Sequence, residues 1–249
     1  MICVLIAAYD EGESFRSLLP AIPKSVAGQP VVVVVASDGS TDDTVAVAEQ
    51  HGCLTIDSPV NRGKGANMRK GITRADDLDY DVLVFLDGDG QHDPGDLERM
   101  VAPILNGSAE LVVGSRYTDT EGRGNAPWNR YLVRCATAAF LSRTLNHRFT
   151  DPYCGYRAMS PRAVQEIELR GDRYQSELEM LFASVEHGIG VVEVPIRKVY
   201  GPNTSKMSAR RGPVLGRLEV IGQYLGTMVH ETWRLQRSKR STPTSRVAR

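Results

Sequence analysis

Five consecutive valines, Val31–Val35, stand inside the run Pro30–Ala36. β-Branched side chains suit a pleated surface and crowd a helix. An unbroken run of them has no polar side to turn to water, so it predicts a strand buried on both faces, as in a parallel sheet. The neighbouring segments agree. Ile2–Ala8 is a second short apolar run, and Leu54–Asp57, Tyr80–Leu86 and Glu110–Gly114 follow as further strands. Glu13–Ile22, Thr41–His51, a Gly-rich turn and helix over Gly63–Asp76, and Pro94–Leu105 read as the intervening helices. Ser40 or Thr41 is the expected N-cap of the second, with acids in its first turn. Strand, helix and strand at this spacing predict an α/β fold, a mostly parallel central sheet flanked by helices. Such sheets bind ligands beyond the C-terminal ends of their strands, and the polar clusters of this chain fall there.

The second half is less regular. Asn129–Leu145 and Ser176–His187 read as helices, Asp151–Ala158 as a turn-rich loop, Val191–Pro195 as a short strand and Gly201–Gly212 as a polar, basic loop. Pro213–Leu235 reads as a long amphipathic helix whose apolar residues include Val214, Leu218, Ile221, Leu225, Met228 and Trp233. No linker interrupts the first 200 residues. The expected organisation is one domain over 1–207, an amphipathic helix over 208–236 and a basic, disordered tail over 237–249.

A hydrophobic content of 41% excludes a wholly disordered chain. Lys plus Arg (30) equals Asp plus Glu (30), which argues against a general nucleic-acid binder. The balance hides an asymmetry. Residues 206–249 hold ten Lys or Arg against Glu219 and Glu231, a net +8, and the remainder carries −8. A basic end on a neutral protein fits a polyanionic surface such as a membrane leaflet, or a solvated tail. Cys3, Cys53, Cys135 and Cys154 show neither close pairing nor metal spacing, and no signal segment is recognisable. Reduced thiols and a cytoplasmic setting are expected. No stretch reaches 18 apolar residues, so no membrane-spanning helix is expected.

The sharpest motif is Phe85-Leu86-Asp87-Gly88-Asp89-Gly90-Gln91-His92-Asp93-Pro94. Two carboxylates two residues apart leave a buried strand, and glycines between them let the backbone bend and a ligand approach. That pattern suits Mg²⁺ or Mn²⁺ carrying a diphosphate. Ser37-Asp38-Gly39-Ser40-Thr41-Asp42-Asp43-Thr44 follows the valine strand. It reads either as a capped helix start or as a place where Asp38 accepts from a base or ribose. Asn61-Arg62-Gly63-Lys64-Gly65-Ala66 reads either as an ordinary turn or as a phosphate cradle of exposed N–H groups with Lys64 adding charge. It lacks P-loop spacing.

These motifs, with Ile6-Ala7-Ala8-Tyr9-Asp10-Glu11 ahead of them, occur in the order seen in inverting family-two glycosyltransferases of the GT-A fold. Val113-Gly114-Ser115-Arg116-Tyr117, Asn129-Arg130, Cys154-Gly155-Tyr156-Arg157, Val199-Tyr200-Gly201 and Ser205-Lys206-Met207 continue the match. The ordered set covers about residues 2–207 and resembles the dolichyl- and polyprenyl-phosphate sugar synthases. The resemblance implies that Ala7, Tyr9, Glu11, Ala36 and Asp38 hold the nucleotide. It implies that Asp87, Gly88 and Asp89 hold metal and diphosphate, with Gln91 a further metal ligand. Arg116, Arg130 and Lys206 match basic positions that handle donor or acceptor phosphates. The departures are Ala7 for Pro, Asp10 for Asn, Ser37 for Asp, and Lys198 for Arg in a segment two residues longer. The Lys198 change loses bidentate phosphate geometry.

A phosphate acceptor is already an anion and needs no general base. The expected reaction is therefore metal-assisted, inverting transfer from a nucleotide-sugar to a polyprenyl phosphate. The chain is expected on the cytoplasmic face of a membrane, held there by the basic helix or by a partner subunit; the helix reads either as interfacial or as packed on the protein's own core or a dimer mate. A relative acting on a hydroxyl acceptor would need a carboxylate base. A nucleotidyltransferase would release pyrophosphate, and a non-catalytic nucleotide-sugar scaffold would bind without turnover. His92 reads as an acid, a ligand or a turn histidine. Glu177 and Glu179 read as surface acids at a helix start or as acceptor-site groups, while Asp151 and Arg157 receive no chemistry.

Overall fold

The computed structural model describes residues 1–117, 128–197 and 215–241, without the side chains of 128–130, 215–218 and 238–241. The chain runs β1 (Ile2–Ala8), α1 (Gly12–Ala21), β2 (Ser25–Val26), β3 (Gln29–Asp38), α2 (Thr44–Gln50), β4 (Leu54–Ser58), α3 (Lys64–Ala75) and β5 (Val82–Asp87). A 3-10 turn at Pro94–Asp96 then leads into α4 (Leu97–Leu105) and β6 (Leu111–Ser115). The rest is α5 (Trp128–Leu145), β7 (Arg157–Met159), α6 (Pro161–Glu166), α7 (Ser176–Glu186), β8 (Val191–Pro195) and α8 (Leu215–Ser241).

β1 lies at the centre, parallel to β3 on one side and β5 on the other. The sheet continues from β5 through β7 and β6 to β8. β3 has two partners on its outer edge, β2 antiparallel at its start and β4 parallel from Val34 onward. This explains a detail of the valine run: Val34 and Val35 are buried, whereas Val31–Val33, ahead of β4, are only half-buried. The chain moves outward from β1 to β4 and then crosses back to β5. That reversal opens a crevice at the C-terminal ends of β1, β3 and β5.

β7 runs antiparallel between β5 and β6. Three residues are too few to show a period, and the sequence reading placed this segment in a loop. β2 and α6 were likewise not anticipated. α2 starts at Thr44 rather than Thr41, with Asp43 at the cap position and no side-chain cap bond. Ser40 and Thr41 are engaged elsewhere, as described below.

α8 has two faces. Val220, Thr227, Met228, Glu231 and Leu235 are buried, the helix packs on α7, and Arg234 pairs with Glu186. Ile221, Leu225, Val229 and Trp233, spaced four apart, are exposed. Val214 and the side chain of Leu218 lie outside the described residues. α8 continues to Ser241, past the boundary expected at 236. Among the described residues no helix is long and apolar enough to cross a membrane.

Candidate active site

The first wall of the crevice is a hydrogen-bonded knot between the β1–α1 and β3–α2 connections. Asp10 has φ 53°, a left-handed conformation that Asp and Asn tolerate. Its Oδ1 accepts from the Thr41 N–H at 2.7 Å, and its own N–H donates to Ser40 Oγ at 3.1 Å. Ser37 Oγ donates to Ser40 Oγ at 3.1 Å. The Glu11 N–H donates to Thr44 Oγ1 and the Gly12 N–H to Asp42. Ser40 and Thr41 therefore lock this knot instead of capping α2. Ala7 and Ala36 sit at neighbouring strand ends in register with each other, Ala7 also opposite Asp87. Glu11 is buried and accepts from Ser14 Oγ, and Tyr9 is exposed beside it.

Asp38 is buried and accepts the N–H groups of Arg62 (2.9 Å) and Gly63 (2.7 Å). Its carboxylate shapes the loop before α3. The phosphate-cradle reading of that loop is corrected by the same accounting. Gly65 and Ala66 donate their N–H groups to the Arg173 and Asp172 carbonyls, both at 3.0 Å. The Asn67 N–H bonds Gly63. A Cβ at Gly65 would overlap the Gly171 carbonyl, so the glycines serve close backbone packing. The N–H groups of Arg62, Gly63, Gly65, Ala66 and Asn67, which a cradle would need, are already used.

Lys64 instead reaches across the crevice. Its Nζ donates to Asp87 Oδ1 at 2.6 Å and to Glu177 Oε1 at 2.7 Å. His92, buried, sits with Nε2 at 3.3 Å from Asp87 Oδ2. Toward an ionised carboxylate that nitrogen must carry the proton. Below, β7 brings Gly155 so close that a Cβ there would fall 2.7 Å from the Asp87 carboxyl carbon. Burial works to raise the Asp87 pKa, but Lys64 and then His92 outweigh it and hold the carboxyl well below its usual range. Burial would likewise lower Lys64, yet Asp87 and Glu177 push it well above an ordinary lysine. Burial, then the charge of Asp87, raise Asp89. Asp89 Oδ1 accepts the Gln91 N–H at 3.1 Å, and Gly88 packs over Phe15.

Asp87, Asp89 and Glu177 outnumber Lys64 and the Arg157 that lies against Glu177, so this corner keeps an excess of negative charge. That excess and the all-oxygen donor set fit one divalent cation. Among the described residues no three acidic, His or Cys side chains converge as a closed cage. Asp87 and Asp89 would thus be completed by Gln91, diphosphate oxygens and water.

The opposite wall carries Arg116. Asp151, fully buried, takes its Nε–H at 2.6 Å and Nη2–H at 2.9 Å. Burial would lower the Arg116 pKa, and Asp151 reverses this and raises it. Glu193 on β8 accepts the Thr150 and Asp151 N–H groups and so fixes the segment that fixes Arg116. Arg157, fully buried, donates to the carbonyls of Cys154 (3.0 Å), Pro152 (2.8 Å) and Glu177 (2.6 Å). It ties the 152–154 turn to the start of α7. Glu177 and Glu179 are buried, which overturns their reading as surface acids. Glu179 holds the Arg170 and Gly171 N–H groups.

The sequence reading missed Glu193, left Asp151 and Arg157 without roles, and left Glu177 open between a surface acid and an acceptor-site group. Only the pattern Gln175-Ser176-Glu177, polar residues opening a helix whose following turns are buried, hinted at Glu177. The side chain of Arg130, and Lys198 and Lys206 entirely, lie outside the described residues.

A crevice at the switch point of this sheet, with the paired carboxylates at the end of β5 and an antiparallel β7 beneath them, defines a GT-A type glycosyltransferase fold. The glycosyl transferase family 2 profile matches residues 3–166, and the chain belongs to that family. It is 33% identical over 208 residues to a polyprenol monophosphomannose synthase of Mycolicibacterium smegmatis, covering 78% of this chain and 75% of the relative. It is 31% identical to an undecaprenyl-phosphate mannosyltransferase of Micrococcus luteus, with 78% and 82% covered. It is 26% identical to a UDP-N-acetylglucosamine–dolichyl-phosphate N-acetylglucosaminyltransferase of Methanococcus voltae, with 80% and 86% covered. Among solved structures, glucosyl-3-phosphoglycerate synthase of Mycobacterium tuberculosis, crystallised with Mn²⁺, UDP and glucosyl-3-phosphoglycerate, superposes with a TM-score of 0.72. It shares 21% identity, over 93% of this chain and 80% of that one.

Proposed function

We propose that the chain transfers a sugar from a nucleotide-sugar of the GDP-mannose or UDP-glucose type to a polyprenyl or dolichyl phosphate, with inversion, at the cytoplasmic face of a membrane. The observation that carries this reading is the state of Glu177. A hydroxyl acceptor needs a base opposite the donor. Among the described residues Glu177 is the carboxylate bridged to Asp87, and Lys64 Nζ already occupies it at 2.7 Å, with Ser176 Oγ at 3.0 Å. Asp151 is consumed by Arg116. Neither is free to take a proton, and a phosphate oxygen brings none to be removed. The names of the three relatives point the same way.

In the reaction, an acceptor phosphate oxygen forms a bond to the sugar C1. The bond from C1 to the β-phosphate oxygen breaks, and the nucleoside diphosphate leaves with that electron pair. Ala7, Tyr9, Glu11, Ala36 and Asp38 frame the nucleotide pocket; Asp38 acts through the loop it holds. Asp87 and Asp89 would hold the cation, and Lys64 and His92 keep Asp87 in place for it. Mg²⁺ or Mn²⁺, when bound, offsets charge developing on the diphosphate. Arg116, backed by Asp151, faces the acceptor phosphate, with Arg130, Lys198 and Lys206 completing the basic set. In-line placement of the two anions is then the main task left to the protein.

Two exposed apolar stripes support action at a membrane. One is Ile221, Leu225, Val229 and Trp233 on α8, and the other is Leu132, Val133 and Phe140 on α5. Tyr153 bridges these helices, bonding Thr137 on α5 at 2.8 Å and stacking on Tyr224 of α8 at 4.4 Å. Arg237 lies over Trp233, and Lys239 and Arg240 follow. Apolar rows bordered by cations match an anionic leaflet.

The test offers radiolabelled GDP- and UDP-sugars with Mg²⁺ or Mn²⁺ to a short polyprenyl phosphate in detergent. Label in the organic phase is expected, and it names the donor. Donor consumption with all label aqueous means a hydroxyl acceptor or water. Binding without turnover means a scaffold. Asp89→Ala is expected to abolish transfer with the fold intact.

A further inference from the structure

The wall that carries Arg116 holds a second arginine that the sequence motifs do not mark. Arg116 is neutralised by the bidentate Asp151. An ion pair of net zero charge is a weak receptor for a phosphate dianion. Arg134, one turn along α5, differs. Its guanidinium carbon lies 4.0 Å from the centroid of Tyr117 and 4.8 Å from that of Tyr131. Nη1–H donates to the Thr150 carbonyl and Nη2–H to Cys135 Sγ at 3.0 Å. Nε is buried and meets no partner.

None of these contacts is a carboxylate, and aromatic faces attract a cation without cancelling its charge. The Tyr117 ring also lies 5.9 Å from the Arg116 guanidinium carbon, so one ring joins the two arginines. Glu193, the acid nearest in the network, spends its oxygens on the Thr150 and Asp151 N–H groups and the Thr150 hydroxyl. Arg134 therefore brings beside Arg116 a positive charge that no carboxylate in the described structure offsets.

We propose that Arg134 is an acceptor-binding residue which, with Arg116 across the Tyr117 ring, receives the dianionic phosphate monoester. This rests on the polyprenyl-phosphate reading. Arg116 contributes the N–H groups that Asp151 leaves, and Arg134 contributes the net charge. It selects a phosphorylated acceptor over the corresponding alcohol.

The experiment titrates the full chain calorimetrically with farnesyl phosphate and, in parallel, with farnesol. Wild type is expected to prefer the phosphate by at least about tenfold, the scale of a charge-assisted contact. Arg134→Gln is expected to lose most of that preference with farnesol affinity unchanged. Arg134→Lys, which keeps the charge but not the planar fork, is expected to stay within about threefold of wild type. Full preference in Arg134→Gln overturns the proposal. So does a loss in Arg134→Lys equal to that in Arg134→Gln, because then the stack on Tyr117 matters and the charge does not. Should Arg134→Gln fail to fold, Arg134→Met, which keeps the apolar stem beside the tyrosine rings without the charge, takes its place under the same criteria. A wild type that binds both ligands equally defeats the polyprenyl-phosphate reading itself, a result distinct from either failure of Arg134.

Discussion

Replacing Lys64 by Met tests whether the crevice is organised around charge compensation. Met keeps the length and apolar stem of the side chain but removes the ammonium that bridges Asp87 at 2.6 Å and Glu177 at 2.7 Å. Breaking a buried ion pair by deleting one partner costs about 3–5 kcal/mol. Lys64 and Asp87 keep 21% and 29% exposure, and Glu177 only 6%. Partial access to water at two of the three groups puts the cost near the lower end, about 3 kcal/mol. For a chain of this size each kcal/mol moves Tm by roughly 2–4 °C, so the midpoint should fall by about 6–12 °C.

Differential scanning fluorimetry in EDTA reads this directly. A second arm with millimolar Mn²⁺ gives the reasoning its sharper test. A divalent ion on Asp87 and Asp89 replaces the lost positive charge, so Mn²⁺ should stabilise the variant more than wild type and narrow the gap. A Tm within about 2 °C of wild type in EDTA shows that Lys64 is not needed for compensation. A full deficit that Mn²⁺ leaves untouched shows that the loss is one of packing, and the charge account of the site is then wrong.

Gly155→Ala places a methyl against the Asp87 carboxyl; calorimetry should find Mn²⁺ affinity at least about tenfold weaker, the effect typical of disturbing a group that orients a metal ligand. Asp151→Asn removes the charge that holds Arg116. It should cost about 3 kcal/mol in urea unfolding and shift KM for the acceptor far more than KM for the donor. Cys3 and Cys154 are buried, and burial pushes both thiols up to about 12; a disulfide reagent at pH 8 should leave both unlabelled until the chain unfolds. Leu225→Glu with Val229→Glu charges the exposed row of α8, and sedimentation with phosphatidylglycerol vesicles should show binding lost while Tm holds.

The elements that strand periodicity and helix length announce were legible in the sequence. Ile2–Ala8 and Val191–Pro195 form strands with the expected bounds. β7 was hidden because three residues carry no period, yet it brings Gly155 beneath Asp87 and Arg157 behind Glu177. The carboxylate pair after β5 was legible because its chemistry is local: two acids, two glycines and a strand end suffice. The Lys64–Glu177 bridge spans 113 residues, and no local pattern reports it. Polar side chains at a helix start look alike in sequence whether they face water or a lysine from another wall, and both a surface and a site reading stayed open for Glu177. The Gly-Lys-Gly loop stayed open between a turn and a cradle for a related reason. Glycines that expose N–H groups to a phosphate and glycines that admit a neighbouring backbone are written the same way. Only the carbonyls of Asp172 and Arg173 distinguish them.

The departures from the family pattern are best judged by the same standard, the bond each residue makes. Asp10 replaces an Asn at φ 53°, and both residue types tolerate that conformation and accept through a side-chain oxygen. The Thr41 N–H needs only the acceptor, so the exchange preserves the knot. Ser37 replaces an acid at a fully buried position. There an ionised side chain beside Asp38 would raise the cost of burying both. A hydroxyl bonded to Ser40 fills the place at no such cost. What the exchange gives up is one negative charge at the nucleotide end of the crevice. The loop geometry survives, and the electrostatic difference falls on whatever part of the donor lies against β3. Donor selectivity is therefore where Ser37→Asp should register: a changed ratio of KM values for GDP- and UDP-sugars, together with a lowered Tm from the second buried carboxylate. An unchanged ratio would mean that the β3 end does not read the base, leaving Ala7 and Tyr9 to do so.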